Sequence, residues 1–157
     1  MATQRENALK NIITPEMQAA AVNEGLDVSI IQDGLRKGTI ALVKNQNRPS
    51  KPTAIGQNML TKINANIGTS KMITDLSQEL KKLEAVEKYG ADAVMDLSTG
   101  GDLDKTRELM LSKTELCFGT VPIYQFMCEQ GGEFSAHDML KVIEKHCAQG
   151  VDFITVH

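Results

Sequence analysis

The sequence contains no tryptophan, and aromatic residues make up only 4 % of its 157 residues. A surface that stacks carbohydrate rings is therefore disfavoured. Hydrophobic residues at 41 % and charged residues at 24 % are close to the averages for soluble globular proteins, which argues against disorder. We expect one folded domain's worth of chain, which is too short for a complete eight-unit barrel.

Neither sign of charge predominates. The chain has 17 Lys+Arg and 20 Asp+Glu, a net charge of −3, and the charges are interspersed. No basic stripe is present that would bind a phosphate backbone. No apolar run approaches the ~18 residues of a membrane helix, and the first residues lack the apolar core of a signal peptide and the composition of a transit peptide. We therefore predict a cytoplasmic protein with no nucleic-acid partner and no membrane partner.

Cysteine is also scarce. Cys117, Cys128 and Cys147 are an odd number of residues at wide spacings. This pattern favours reduced, individually buried thiols over a disulfide framework or a zinc or iron–sulfur motif.

The first fifty-odd residues predict a small α+β segment. Thr14 and Asp27 are helix caps that begin two short helices, and the β-branched run TIALVKN is typical of a strand. Two prolines among polar residues in NQNRPSKPTA predict a linker. We therefore divide the chain into an N-terminal segment with its linker, residues 1–54, and a second part, residues 55–157.

The second part alternates strand-like runs with amphipathic helices. Strands are predicted near 61–67, 92–98, 115–121 and 151–156. A parallel neighbour requires a crossover, and a helix provides it each time, so the strands should be parallel and adjacent in chain order. From the residues alone, a doubly wound open sheet and part of a (β/α)8 barrel both fit, because four strands cannot close a barrel.

Several polar residues of this part have structural explanations. The helix that begins near Ile123 should end by Gly131-Gly132, and Ser135 should cap the next helix. On that helix we expect His137 at the surface and His146 half-buried, neither with a partner at metal-ligand spacing. The segment STGGD could hold an anion at a helix N-terminus, but its aspartate is the better candidate for the helix cap.

Functional residues are expected where the strands end. Asn66, Met95, Tyr124 and His157 recur about every 30 residues, the period of one βα unit, so they should lie on one rim. Taken singly, Asn66 also fits a turn, Met95 fits core packing and Tyr124 fits a buried ring. Further polar residues near these ends are Asn64, Asp96 and Ser98.

Four motifs at these ends carry a family resemblance. INANIGTS, GADAVMDLSTGGDL, GTVPIYQ and GVDFITVH, in that order and spacing, resemble the N-terminal half of the phosphomethylpyrimidine synthase family. The match extends back through IITPEMQAAAVNEG, GTIALVKNQNR and KPTAIG, and so covers nearly the whole chain. The resemblance implies an α/β fold, the first half of a (β/α)8 TIM-type barrel after a small N-terminal α+β segment.

The resemblance also implies an activity. Family members are radical S-adenosylmethionine lyases of thiamine biosynthesis that convert 5-aminoimidazole ribotide into hydroxymethylpyrimidine phosphate, and they pair as homodimers. Their substrate contacts correspond here to Asn66, Met95, Tyr124 and His157. Their [4Fe–4S] cluster and zinc ion are held by residues that would follow His157. We therefore identify no catalytic residue and no metal ligand in this portion, expect it to bind no cofactor, and expect it to be inactive alone.

Two alternatives remain open at this point. The paralogous 5-hydroxybenzimidazole synthase, which makes a cobamide lower base, resembles the same family in fold and substrate. A protein of another class, a non-catalytic half-barrel that binds ribotide or a partner half, would carry the same motifs. The sequence does not choose between a truncated gene product and one half of a split enzyme.

Overall fold

A computed structural model describes residues 2–130 and 135–157. The chain forms two compact units that interleave in sequence. The first contains the residues up to Lys44 together with Lys51–Lys62, and the second contains Asn45–Ser50 together with Ile63–His157. The segment that the prolines mark as a linker is thus shared between both units.

The first unit consists of helices and one antiparallel strand pair. Its elements are α1 (Gln4–Leu9), α2 (Pro15–Glu24), α3 (Val28–Lys37), β1 (Ile40–Val43) and β2 (Thr53–Gly56). The predicted caps form: the side chain of Thr14 accepts a hydrogen bond from the amide of Met17 at 3.2 Å, and that of Asp27 accepts one from Ser29 at 2.8 Å. The core is small and aliphatic. Its buried residues are Ala8, Met17, Ala20, Ala21, Ile31, Leu35, Ile40 and Ala54.

Two elements of this unit are absent from the sequence prediction. Helix α1 begins with a capping box in which Thr3 and Glu6 exchange side-chain and backbone hydrogen bonds. Strand β2 begins at the end of the predicted linker and pairs with β1, so that Ile40 is opposite Gly56 and Val43 is opposite Thr53. Pairing with a distant strand, which the local composition does not encode, makes Thr53–Gly56 a strand.

The second unit contains the predicted alternation of strands and helices. Its elements are β3 (Asn64–Ile67), α4 (Leu76–Lys88), β4 (Ala93–Asp96), α5 (Leu103–Leu111), β5 (Cys117–Thr120), α6 (Pro122–Gln130), α7 (Ala136–Gln149) and β6 (Phe153–Ile154). The four strands are parallel and follow the order β3-β4-β5-β6, which confirms the predicted sequential order. Each strand is shorter than predicted. The predicted end of α6 at Gly131-Gly132 lies outside the described residues.

One face of this sheet packs against helices. Alternate residues of the strands point to opposite faces, and Ile67, Val94, Phe118 and Ile154 contribute to a cluster with apolar residues of α4 and α5. Phe118 and Val94 have no exposed surface. The central strands β4 and β5 are almost wholly buried, as expected for parallel strands.

A buried ion pair between Arg48 and Asp152 anchors the segment Asn45–Ser50 near the start of β6. Arg48 donates to the backbone carbonyls of Gly150 at 3.0 Å, Thr114 at 2.7 Å and Leu116 at 2.5 Å, and it pairs with Asp152. The carboxylate of Asp152 has no exposed surface. Within the second unit, the side chains of Arg48 and Asp152 therefore join the predicted linker to the residues that precede β5 and β6.

Three predicted burials need correction. Cys117 is buried in β5, but Cys128 and Cys147 are exposed on α6 and α7. Cys147 follows a residue that faces inward, and a step of one residue turns a helix by about 100°, so its thiol faces outward. His146 is 1 % exposed and not half-buried, because Thr120 of β5 and Gln125 of α6 hydrogen-bond its two ring nitrogens in the interior.

Among residues 2–130 and 135–157, no helix combines the length and the apolar character that crossing a lipid bilayer would require.

Candidate functional site

The second face of the parallel sheet carries Asn66 and Met95, two of the residues singled out from the sequence. Asn66 is the register partner of Met95 across β3 and β4, and Met95 is the partner of Gly119 in β5. Gly119 in turn pairs with Phe153 in β6. Register partners in parallel strands project to the same side, so these residues form one row across the sheet.

Asn66 lies at the exposed end of this row on β3. The side-chain nitrogen Nδ2 of Asn64 donates a hydrogen bond to the side-chain oxygen Oδ1 of Asn66 at 3.1 Å. Both side chains are exposed. Since Asn64 occupies the oxygen, Asn66 keeps its own amide N–H groups as donors for a ligand.

Met95 lies at the middle of the row and is half-buried. The hydroxyl of Thr155 contacts its sulfur at 3.7 Å. Next to it, Gly119 leaves room for the ring of Phe153, because a Cβ at residue 119 would lie 2.2 Å from that ring. The middle of the row is therefore a thioether beside an aromatic ring, which suits contact with a flat apolar group.

Tyr124 and His157 form the second group of the site. Tyr124 lies in the first turn of α6, directly after β5, and His157 follows β6. Their rings stack with centroids 5.9 Å apart and planes inclined by 16°. Tyr124 is half-buried and His157 is exposed.

The four residues predicted from the sequence thus lie in two pairs. Asn66 and Met95 are neighbours across β3 and β4, whereas Tyr124 and His157 stack on each other. The segment after β6 links the pairs, because Thr155 contacts Met95 and is two residues before His157. Asn66 and Met95 lie in the C-terminal halves of their strands, and Tyr124 and His157 come after the C-terminal ends of theirs. Ligand sites of parallel sheets are found at these ends.

Asp96 and Ser98 do not belong to this group. Asp96 is 5 % exposed and accepts hydrogen bonds from the amide of Ser98 at 2.9 Å and from its hydroxyl at 2.5 Å. Burial raises the pKa of this carboxyl, while the bonds from Ser98 oppose the rise. Ser98 also accepts a bond from the amide of Thr69 at 3.0 Å, so both side chains connect the loops after β3 and β4.

Those two loops are in close contact. The hydroxyl of Thr69 donates to the carbonyl of Gly100 at 2.6 Å, and a Cβ at residue 100 would lie 2.2 Å from the carbonyl oxygen of Ser70. Asp102 accepts a bond from the amide of Lys105 at 3.1 Å and caps α5. The carboxylate occupies the helix N-terminus, as the sequence indicated, and an anion would be repelled there.

A buried polar cluster behind α6 was not foreseen. Gln125, adjacent to Tyr124, is 2 % exposed, and its oxygen accepts bonds from Arg107 and from His146 Nε2, the latter at 2.7 Å. Its nitrogen donates to Asp104 at 3.1 Å and to Glu129 at 2.6 Å. The Gln125 amide thus uses all four of its hydrogen-bonding positions.

This arrangement determines the protonation of the imidazole. The Gln125 oxygen only accepts, so His146 Nε2 carries the proton, and Nδ1 accepts from the Thr120 hydroxyl at 2.8 Å. Burial, followed by the charge of Arg107, lowers the pKa of His146 to about 3. Burial also lowers the pKa of Arg107. The imidazole is therefore neutral at physiological pH.

Asp104 is the anionic member of the cluster. Burial alone would raise the pKa of Asp104, but hydrogen bonds from Lys145 at 2.9 Å and from Gln125 lower this pKa to about 2. The only sequence signal for this cluster was a set of polar residues at positions of α5, α6 and α7 that a purely apolar core would exclude.

The described residues offer no metal centre. Within residues 2–130 and 135–157, no three His, Cys, Asp or Glu side chains come together as metal ligands. The three cysteines lie on β5, α6 and α7. These residues do not fit an iron–sulfur cluster, which needs thiolates gathered around one core.

Comparison with known proteins agrees with the family resemblance of the sequence motifs. The model of the Radical SAM ThiC family matches residues 3–157. Over 99 % of its length, the chain is 48 % identical to phosphomethylpyrimidine synthase 1 of Methanosarcina mazei and 44 % identical to phosphomethylpyrimidine synthase of Methanocaldococcus jannaschii. A further relative, the phosphomethylpyrimidine synthase of Desulforamulus reducens, is 44 % identical. The chain spans only 37–38 % of the length of these relatives.

Proposed function

Because this chain belongs to the Radical SAM ThiC family, we propose that it is the N-terminal portion of a phosphomethylpyrimidine synthase and supplies part of the site for 5-aminoimidazole ribotide. Two observations support the proposal: Asn66 and Met95 are register partners on β3 and β4, and Tyr124 and His157, which follow β5 and β6, stack on each other. On this proposal, residues 55–157 form the first half of a (β/α)8 barrel. The sequential parallel order supports it, since barrel strands are adjacent in chain order.

Each of the four side chains has a distinct role in the proposal. Asn66 donates hydrogen bonds to the ribotide, and Tyr124 and His157 supply a hydroxyl, a ring nitrogen and stacking surface. Met95, held by Thr155, supplies apolar contact to the imidazole ring. The mixture of a few polar groups with apolar surface is usual for small-molecule pockets.

The remaining chemistry belongs to groups outside the described residues. When bound, an iron–sulfur cluster supplies the electron that cleaves S-adenosylmethionine. We infer from the family resemblance that this cluster and a zinc ion are held by the rest of a full-length protein, which acts as a cytoplasmic homodimer. The part described here binds and orients the ribotide.

The first prediction is a loss of ribotide affinity in two variants of the full-length protein. Asn66→Ala should weaken binding about tenfold or more, and Tyr124→Phe about three- to tenfold, since each removes one polar contact to the ligand. Isothermal titration calorimetry with 5-aminoimidazole ribotide measures both. Tyr89→Phe is the matched control, because the Tyr89 side chain is 81 % exposed at the end of α4 and should leave affinity unchanged.

Unchanged affinity in both site variants would refute the assigned contacts. A product assay tests the activity itself. Hydroxymethylpyrimidine phosphate is the expected product, and 5-hydroxybenzimidazole would assign the chain to the paralogous enzyme instead.

A further inference from the structure

The Tyr124 ring depends on the rotation of α6 about its own axis. Residues 124 and 125 are consecutive in this helix, and consecutive residues point about 100° apart. One of them stacks on His157 while the other is buried in the polar cluster. A rotation of α6 that moved Gln125 would therefore swing the tyrosine ring away from His157.

Among the described residues, the one before α6 offers no side-chain cap to the first turn of this helix. Val121 precedes Pro122, the first residue of the helix, and an aliphatic side chain cannot accept a hydrogen bond from the first-turn amides. Phe126, the next residue after Gln125, is also buried, at 2 % exposure. The contacts of α6 between Cys128 and the Thr99 carbonyl and between Glu129 and Lys145 lie one turn further along the helix than Gln125. The Gln125 amide gives the first turn directional restraint through its four hydrogen bonds.

Those bonds differ in the elements that they connect. Glu129 is on α6 itself, so its bond does not fix the helix relative to its neighbours. Arg107 and Asp104 belong to α5, and His146 belongs to α7. His146 is in turn oriented by Thr120 at the end of β5, the strand that leads into α6. The chain Thr120–His146–Gln125 therefore ties the rotation of α6 to the strand end from which it starts.

We propose that His146 and Gln125 are positioning residues for Tyr124: their hydrogen bond sets the rotation of α6 and holds the tyrosine ring against His157. The consequence for ribotide binding rests on the function proposed above. The placement of the tyrosine ring itself does not, and it can be measured without a ligand.

Two substitutions of His146 separate its two hydrogen bonds. His146→Gln places an N–H donor near the position of Nε2 and can keep the bond to Gln125. His146→Asn places an oxygen near the position of Nδ1 and keeps the bond to Thr120, but its shorter side chain cannot reach Gln125. The proposal requires that only the asparagine variant release Tyr124.

The readout is the NMR spectrum of ring-¹³C-tyrosine in the 157-residue chain without ligand. The chain has only two tyrosines, and the exposed Tyr89 serves as internal reference. His157→Ala defines the Tyr124 signal without its stacking partner. We expect His146→Asn to move the Tyr124 signal most of the way to that position and His146→Gln to leave it near the wild-type position, with Tyr89 constant.

Gln149→Ala is the matched control for a general weakening of the cluster. Gln149 bonds Arg107, Asp104 and Glu108, but within the described residues its side chain makes no hydrogen bond to Gln125 or His146, so the Tyr124 signal should stay in place. If His146→Asn does not fold, Gln125→Asn tests the same bond, because it keeps the amide and shortens the side chain by one methylene. A folded variant with an unmoved Tyr124 signal overturns the proposal, and so does unfolding of both variants, which would make the cluster a general core element.

A second arm connects the placement to the ligand in the full-length protein. His146→Asn should weaken ribotide binding about two- to tenfold, the range for one lost hydrogen-bonded contact. In a Tyr124→Ala background the same substitution should have no further effect, because the residue through which it acts is gone. Additive losses would contradict the proposal. Failure of the unmodified protein to bind ribotide would refute the proposed function alone and leave the NMR result standing.

Discussion

At the scale of residues, His146 shows how burial changes the pKa of a side chain that has no distinctive feature in the sequence. Spacing predicted a half-buried histidine, and the structure encloses it almost completely between Thr120 and Gln125. The charged groups near it are Arg107 and Asp104 on α5, Glu129 on α6 and Lys145 on α7. Burial is the largest cause of the lowered pKa of the imidazole; the charges of Arg107 and Lys145 lower it further, and the charge of Asp104 opposes them.

We predict that this histidine makes folding stability depend on pH. Its pKa is about 3 in the folded chain and 6.5 ordinarily, so below pH 6.5 the unfolded chain takes up a proton that the folded chain does not. Stability should fall as pH decreases from 6.5 towards 3, by at most about 1.4 kcal/mol per pH unit. Urea unfolding at several pH values measures this loss.

The His146→Gln variant isolates that effect. It lacks the titrating group, so the wild-type protein should lose stability relative to it between pH 6.5 and about pH 4.5. The lowered pKa of Asp104, by contrast, supports folding above its ordinary value of 3.8, and that contribution is lost only below this range. Parallel stability curves for the two proteins would contradict the prediction.

At the scale of elements, local signals located most helix starts correctly. Thr14, Asp27, Asp102 and Ser135 all act as N-caps in the structure, because a cap depends on residues within one turn. The capping box of Thr3 and the residue three positions later was also legible in the sequence and would have predicted α1. Strand β2 could not be read from the sequence, since its register partners are 10 to 16 residues away in the chain.

The connection between Asn45–Ser50 and β6 leads to a prediction about stability. Arg48→Met should lower the free energy of unfolding by about 3–5 kcal/mol, because it leaves the carboxylate of Asp152 buried without its cation. Lys141→Met is the control: its ion pair with Asp138 is exposed on α7 and should contribute less than about 1 kcal/mol. Chemical denaturation of both variants provides the comparison. Equal losses would show that the ion pair does not anchor this segment.

At the scale of the whole molecule, two units and a four-stranded parallel sheet are present. Strands β3 and β6 are the outer strands of the described sheet, and each pairs on one side only. Such edges favour pairing with further strands, which agrees with the proposed half-barrel. The positions of the three cysteines also depend on the whole molecule, because an iron–sulfur cluster site requires several elements to bring thiolates to one point.

The last prediction is that the 157-residue chain cannot assemble an iron–sulfur cluster. Cys117 is buried within β5, and Cys128 and Cys147 lie on α6 and α7, so gathering the three thiolates would disrupt the elements that carry them. Anaerobic reconstitution with iron and sulfide should give no brown 4Fe–4S absorbance and no 5′-deoxyadenosine. A chain that gains both would be a complete radical enzyme and contradict the proposed division of the protein.

The sequence by itself determined the α/β alternation, the order of the strands, most helix caps and the family motifs around Asn66, Met95, Tyr124 and His157. These features depend on residues close together in the chain or on a period that repeats along it. The tertiary structure alone decided the pairing of β1 with β2, the burial of His146, the contact of Thr155 with Met95 and the stacking of Tyr124 on His157. Each of these joins residues distant in sequence, and such contacts form only when packing brings their elements together.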